Sequence, residues 1–492
     1  MTRRRFGIPE LFVAITLIAI LTMSVRVPIS PDMWWHLRCG QVQWETRSVI
    51  KEDLFSHTAQ GTPWVNQSWL PQIVMYGLYA LGGLPALSLA VAALTTAAFA
   101  LVLLGMQTEG RYDHFWRALV VVGAAISTGR TWVPRPQMVT LVLTAAWVLI
   151  LDRHHSRNPK KWTGLFWLPP LMVLWANSHG GYIVGFILLA LQMGGILAKA
   201  LRERSFAVLW VSLRPLLVVT GLCLVAALLN PQGIRLVLFP FQTLNSGAQQ
   251  NLIAEWASPD FHALDMLPFL GLLIATWSAL AFSGEQIAAI DWLRLAAFTV
   301  IGLRSGRYIG LAAIVMAPLL YRYGKAAWNK WRPSAPKVTP PTRGIPALNW
   351  LLLILVLFAA GVKVALPLQE PTIQQVTRTL FPTQAVEYLR THGVQDNLFN
   401  EYGWGGYLIW ELADSLVFID GRADPFGDDL IIAYQKTVSA RPGWDKVLHE
   451  YQVNTVLVQS ECALASALGQ SSNWQETYRD LHAIIFQRTS NN

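Results

Sequence analysis

The stretch Pro31–Gly40, PDMWWHLRCG, gathers a carboxylate (Asp32), two indoles (Trp34 and Trp35), an imidazole (His36) and a guanidinium (Arg38). It directly follows an apolar run, Ile8–Val27. Where a membrane helix meets water, indole rings settle at the headgroup level and ionisable groups turn to the polar side. Such a constellation suits an amphipathic ligand, with rings on its apolar part and charges on its polar part. An aromatic belt with ordinary charged neighbours has the same composition. The stretch alone leaves both readings open.

Four further segments carry the same kinds of group. Arg130 and Arg135 lie in GRTWVPRPQ, and Asn177 and His179 in ANSHGGY. Asn230, Arg235, Glu255 and Asp260 lie in NPQGIR and AEWASPD, and Arg304 and Arg307 in LRSGRY. Each has a plain alternative. The arginines can snorkel to an interface. His179 can be a satisfied buried histidine. Asn230–Gly233 can be a helix-ending turn. Glu255 beside Trp256 can be an interfacial acid, and Asp260 in SPD a helix-cap residue. Taken together, acids, imidazoles and guanidiniums are what sugar transfer from a polyprenyl-phosphate donor requires. A carboxylate takes the acceptor proton or holds the acceptor. Cations stabilise the departing phosphate, and Arg forks match phosphate oxygens. Aromatic walls hold the sugar and first isoprene units, a part open to Trp34, Trp35, Trp64 and Trp69. The candidate catalytic groups are therefore Asp32, Glu255 and His36. Arg130, Arg135, Arg304 and Arg307 are candidates for the donor phosphate. Trp34, Trp35, Asn177, His179 and Asp260 are candidates for substrate contact.

These groups need a scaffold, and composition names its class. Of 492 residues, 53% are hydrophobic and only 14% charged, with 22 Trp. A soluble domain carries about a quarter charged residues. The chain reads as a polytopic α-helical membrane protein. Its net charge of +9 fits Lys- and Arg-rich cytoplasmic loops and does not call for a nucleic-acid partner. The cysteines, Cys39, Cys223 and Cys462, are too scattered for a disulfide framework or a metal-ligand motif. The start, TRRRFG, reads as the inner anchor of a retained first helix.

A span needs about 20 residues. After Ile8–Val27 comes a polar, aromatic-rich loop, 28–72. Ile73–Met106 is too long for one span and divides into a surface helix and a span near Leu84–Met106. Further spans fall near 117–127, 137–151, 163–176, 182–197, 215–229, 266–282, 288–303, 308–320 and 346–366, about eleven in all. Placing the N-terminus inside puts most basic loops in the cytoplasm. All five polar clusters then fall outside the inner (cytoplasmic) membrane, as does the C-terminal part. Trp331–Gly344, rich in Pro and Lys, reads as a cytoplasmic linker. From Gln369 the long apolar runs stop. Helices are expected at 383–391, 428–439 and 444–450, and strands at 397–402, 416–420, 454–459 and 483–488. The domains expected are 1–368 in the membrane and a small extracytoplasmic α/β domain, 369–492.

With these residues in place, the chain resembles the GT-C class of membrane glycosyltransferases. The resemblance lies in many helices, an acid just after the first helix, and a C-terminal domain on the outer side. It implies that Asp32 is the catalytic acid, that the donor is a polyprenyl-phosphate-linked sugar, and that the acceptor is a glycan, lipid or protein. Glu401–Asp429, EYGWGGYLIWELADSLVFIDGRADPFGDD, resembles the C-terminal region of oligosaccharyltransferases. There are departures. The first loop has one acid where the class has an adjacent pair, and Tyr402–Gly403–Trp404 stands where oligosaccharyltransferases have Trp-Trp-Asp. A divalent metal held by Asp32, His36 and Glu255 is one arrangement these residues permit, though their spacing does not define it. The WGGYL and FIDGRADPF segments have two readings, an acceptor-facing or membrane-facing rim, or a structural one in which Gly403, Gly405 and Gly406 make a tight turn and Asp420, Arg422 and Asp424 an internal ion pair. Two other functions compete with transfer, a lipid-linked glycan flippase and a non-catalytic envelope assembly scaffold. A transporter is expected to show paired halves with broken helices, and no internal repeat is visible.

Overall fold

A computed structural model describes residues 6–107, 113–157, 162, 164–204, 209–331 and 345–489. Arg3–Arg5, and the linker beyond Trp331, lie outside the described residues. The helices up to residue 331 are α1 (Ile8–Ser24), α2 (Pro31–Thr46), α3 (Trp69–Gly105), α4 (Asp113–Ser127), α5 (Gln137–Arg157), α6 (Leu168–Ala176), α7 (Ile183–Glu203), α8 (Leu209–Leu228), α9 (Ile234–Asn245), α10 (Gly247–Leu252), α11 (Leu267–Phe282), α12 (Ala289–Arg304) and α13 (Ile309–Trp331). After it come α14 (Pro346–Ala365), α15 (Glu370–Leu380), α16 (Thr383–His392), α17 (Gly405–Glu411), α18 (Gly427–Val438), α19 (Trp444–Glu450) and α20 (Ala463–Gly469). The strands are β1 (Asn397–Asn400), β2 (Val453–Gln459), β3 (Trp474–Arg479) and β4 (Ala483–Arg488).

Among the described residues, five helical stretches are long and apolar enough to cross a membrane by length and composition. They are Trp69–Gly105, Gly180–Glu203, Leu209–Leu228, Leu264–Phe282 and Pro346–Leu368. Ile8–Ser24 and Leu165–Ala176 are apolar but shorter. Each segment read as a span contains helix among its described residues. The run read as two segments, Ile73–Met106, falls in α3 up to Gly105, and α3 is interrupted. Gly82 (φ −150°, ψ 19°) and Gly83 (φ 61°, ψ −155°) are non-helical, two residues before Pro85. The missing proline N–H and the left-handed φ explain the break.

The chain divides into two compact units. One holds Met1–Arg26, Ser88–Gly233 and Ala254–Leu368, and the other Val27–Leu87, Ile234–Ile253 and Gln369–Asn492. In the first, ion pairs join helices that hydropathy alone would leave free to slide. Lys325 on α13 donates to buried Asp113 on α4 at 2.9 Å. Arg294 on α12 pairs with Asp152 on α5 and donates to Gln192 on α7 at 3.2 Å.

The second unit is built on a four-stranded sheet in the order β1-β2-β4-β3. β1 and β2 are parallel, and the other pairs antiparallel. Alternate residues point to opposite faces. Leu398, Leu457 and Ile485 join one core cluster with Met33, Trp34, Leu37, Phe381 and Leu408. Phe399, Val456, Val458, Ile484 and Phe486 join another with Phe418, Ile431 and Leu464. The sheet is thus covered on both faces, and α2, read as part of an outer loop, supplies one layer. The strand expected at 416–420 is absent from the sheet; Val417 makes only an isolated parallel bridge with Ser56. The Asn400 side chain stands in for a neighbouring strand. Its Oδ1 accepts from Phe418 N–H and its Nδ2 donates to the Ile419 carbonyl, both at 2.8 Å.

Candidate functional site

In the first unit, four residues from separate loops converge. Arg135 follows the short 3-10 turn Gly129–Thr131, and Glu255 lies in the turn Ala254–Trp256. Their side chains form an ion pair, with Arg135 only 12% exposed and Glu255 44%. The Glu255 turn is zipped to the residues after α12. Ser305 Oγ donates to the Glu255 carbonyl at 3.0 Å, and Gly306 N–H to the Ala257 carbonyl at 2.9 Å. This seats the Arg307 guanidinium 5.2 Å over the Trp256 ring. Burial pushes the Glu255 carboxyl up. The Arg135 and Arg307 guanidiniums, and more weakly Arg130, outweigh it and hold Glu255 below the usual carboxylate range.

His179 completes this group. Its Nδ1 accepts the Gly181 N–H at 3.0 Å, so the Thr140 hydroxyl, also at 3.0 Å, must donate to it. Thr140 in turn accepts the Trp175 indole N–H at 2.8 Å. These bonds place the imidazole proton on Nε2. Desolvation first, then Arg307 and Arg135, push His179 down to about 3. It is a neutral hydrogen-bonding group at physiological pH, and not an acid. Two guanidiniums, a neutral imidazole and one carboxylate make a cluster that can take an anion.

The other residues named in this unit do different work. Arg130 reaches Asp265 at 3.7 Å, with both side chains more than half exposed, a pair of little energetic weight. Arg304 is exposed, and its carbonyl accepts from Ser258 Oγ at 3.4 Å. Buried Asn177 donates to the carbonyls of Val173 (2.8 Å) and Leu229 (2.9 Å) and accepts from Asn230 at 3.1 Å, tying α6 to the end of α8. Asp260 is exposed and accepts the His262 N–H at 2.9 Å, a local turn.

In the second unit, Asp32 is the second residue of α2, after Pro31, where a carboxylate favours the helix dipole. It is half-buried, and its Oδ1 lies against Gly421. Trp34 is sealed in the core, edge-on to Tyr407 at 5.4 Å and Phe381 at 6.1 Å. Trp35 lies against His36, with ring centroids 3.5 Å apart, and edge-on to Trp64 at 6.1 Å. His36 is buried and accepts from Gln72 Nε2 at 3.2 Å; Gln72 Oε1 accepts from Asn66 (2.8 Å) and Gln43 (3.0 Å).

Beside them is a buried ion cluster. Arg422 Nε donates to Asp420 Oδ1 at 2.8 Å and Nη2 to Asp420 Oδ2 at 2.5 Å, while Nη1 pairs with Asp53. Asp53 also accepts the N–H groups of Phe55 (3.2 Å) and Ser56 (3.1 Å). All three charged side chains are fully buried. The Arg422–Asp420 pair was legible in the sequence; Asp424 is not part of it and accepts from Gln249 at 3.1 Å. Asp53, Thr140 and Gly421 were missed. Asp53 and Thr140 sit in no recognisable motif, and Gly421 lies in FIDGR with nothing in the sequence to signal its approach to Asp32. Among the described residues, no three His, Cys, Asp or Glu gather into a cation site.

No protein-family model and no curated protein matches the sequence. Solved structures do match in fold. One is the Archaeoglobus fulgidus oligosaccharyltransferase AglB, in complex with an inhibitory peptide and a dolichol-phosphate. It aligns with a TM-score of 0.56 and 11% identity over 98% of this chain and 74% of its own. The apo form of the Archaeoglobus fulgidus oligosaccharyltransferase gives 0.53 and 12%, over 93% and 70%. ArnT from Cupriavidus metallidurans, bound to undecaprenyl phosphate, gives 0.48 and 14%, over 98% of both chains. The chain thus shares its fold with the Archaeoglobus fulgidus oligosaccharyltransferase. In fold this agrees with the resemblance to the GT-C class, and the apolar helices and small C-terminal sheet agree with the membrane architecture expected.

Proposed function

We propose that this protein transfers a sugar from a polyprenyl-phosphate-linked donor to an acceptor outside the cytoplasm. The observation that carries the proposal is the convergence of Arg135, Arg307, His179 and Glu255 from loops scattered over the sequence. The fold shared with an oligosaccharyltransferase solved with a dolichol-phosphate supports the lipid class. In this reaction Asp32 takes the proton of the acceptor hydroxyl or amide. The acceptor atom bonds to the anomeric carbon as the carbon–oxygen bond to phosphate breaks. The phosphate leaves with the bonding electrons, and Arg135 and Arg307 bear its charge. Arg130 and Arg304 widen the positive field that draws the lipid headgroup in. The N-terminus is cytoplasmic, and the membrane is the inner one.

The test uses purified protein in liposomes, tritiated polyprenyl-phosphate sugars and an envelope extract as acceptor. Wild type should release polyprenyl phosphate. Asp32→Asn should lose on the order of 10²–10⁴-fold in rate, and Arg307→Ala about 10²–10³-fold, each with an unchanged gel-filtration profile. Equal turnover by Asp32→Asn, or lipid translocation without any transfer, would defeat the proposal.

A further inference from the structure

Gly421 lies between Asp420 and Arg422, and its φ is not in the left-handed region. No turn geometry therefore demands a glycine there. What demands it is clearance. A β-carbon on Gly421 would overlap Asp32 Oδ1 and come within 3.4 Å of the Trp35 indole nitrogen. The platform beneath is rigid. Both neighbours of Gly421 are held in the Arg422–Asp420–Asp53 cluster, and the rings of Phe55 (5.2 Å), Trp64 (5.2 Å) and Phe426 (5.7 Å) surround the guanidinium. Two other glycines bring the start of α2 to this platform. A β-carbon on Gly406 would meet the Pro31 carbonyl at 2.6 Å and Trp35 Cδ1 at 3.1 Å. One on Gly405 would strike the Ile419 carbonyl and come within 2.7 Å of Asp420 Cα. The buried Trp35 Nε1–H has no hydrogen-bond partner among the described residues and lies on the same side.

We infer that Gly421 is a positioning residue for Asp32: the GR step of FIDGR, clamped by buried charge, forms a seat that fixes where the Asp32 carboxylate can stand. The segment read as a turn or a rim thereby acts on the reacting group through backbone contact. The inference deepens the proposed function and rests on Asp32 being its reacting carboxylate.

Gly421→Ala is the test. The obstructing atoms belong to the tip of a flexible side chain, so the chain can fold by swinging Asp32 aside. Gly405→Ala strikes backbone and should lose stability instead. Misplacing a reacting group by about 1 Å costs on the order of 100-fold. Gly421→Ala should therefore lower kcat about that much and leave KM for the lipid donor within about twofold. Asp32 should also become several-fold more reactive toward a carbodiimide with glycine ethyl ester, read by peptide mapping of the intact, detergent-solubilised protein. The labelling needs no turnover, so it decides the seat even where wild type transfers no sugar, a result that counts against the proposed function alone. Unchanged labelling at Asp32 in folded Gly421→Ala would overturn the inference. So would a loss of kcat that Asp32→Ala/Gly421→Ala shows to be additive with loss of the carboxylate.

Discussion

At the residue scale, the Arg135–Glu255 pair makes pH a probe of the cluster. Glu255 is held below the ordinary carboxylate range when folded, so the unfolded chain binds its proton first as pH falls. Its stabilisation is complete above about pH 5 and fades as pH drops through about 4 toward the lower folded value. Melting temperatures of wild type and Glu255→Gln should therefore differ at neutral pH and converge as pH falls through the lowered folded value. A gap that is constant with pH would mean that Glu255 is not ionised against Arg135. His179 is displaced in the opposite functional sense. At about 3 it remains neutral over any workable assay range, so it should add no limb to a pH–rate profile between about 5 and 8. The residue types of this cluster were legible in the sequence, but its pairings were not. Nothing in GRTWVPRPQ says that Arg135, rather than Arg130, meets Glu255. That depends on the zipping of 254–258 to 304–308, a contact made only in three dimensions.

At the element scale, the break in α3 was visible as an apolar run too long for one span. Its place was too, since the span read from Leu84 starts directly after Gly82–Gly83, but the geometry was not, because a Gly-Gly pair followed by Pro fits either a kink or a loop. Gly83, at φ 61° and ψ −155°, occupies backbone space that costs any other residue about 1–3 kcal/mol. Gly83→Ala should lower the melting temperature accordingly. Gly77→Ala, in the same element with open space around its β-carbon, should be neutral or raise it, since Ala exceeds Gly in helix preference by about 1 kcal/mol. Equal effects at the two positions would show that the break is not enforced by Gly83. The missing strand at 416–420 teaches a related point. LVFID has the composition of a strand, yet Asn400 satisfies Phe418 N–H and the Ile419 carbonyl with its side chain. Composition reports that a segment is buried and extended, while its backbone partner is decided elsewhere in the chain. The same limit hid the role of α2. Its Trp34 read as a membrane-interface residue, and with Met33 and Leu37 it covers one face of a sheet whose strands lie more than 350 residues later.

At the scale of the whole molecule, hydropathy and charge asymmetry make a claim that no internal contact can test, namely which side each end faces. Two exposed side chains mark the two sides proposed. Trp331, 74% exposed, ends α13 just before the Lys- and Pro-rich linker, and Leu481, fully exposed, tips the turn between β3 and β4. Because both are open to solvent, a cysteine at either position reports membrane sidedness and not local burial. Cys39 and Cys223 are buried and Cys462 is half-buried, so replacing Cys462 with Ser leaves a quiet background. In intact cells a membrane-impermeant maleimide should label Leu481→Cys and spare Trp331→Cys. After permeabilisation it should label both. Labelling of Trp331→Cys alone in intact cells would invert the topology. It would place the C-terminal sheet in the cytoplasm, and with it α2 and Asp32, which are packed in the same unit. An acid on that side could not serve an extracytoplasmic acceptor, so the glycosyl-transfer proposal would fall with the orientation.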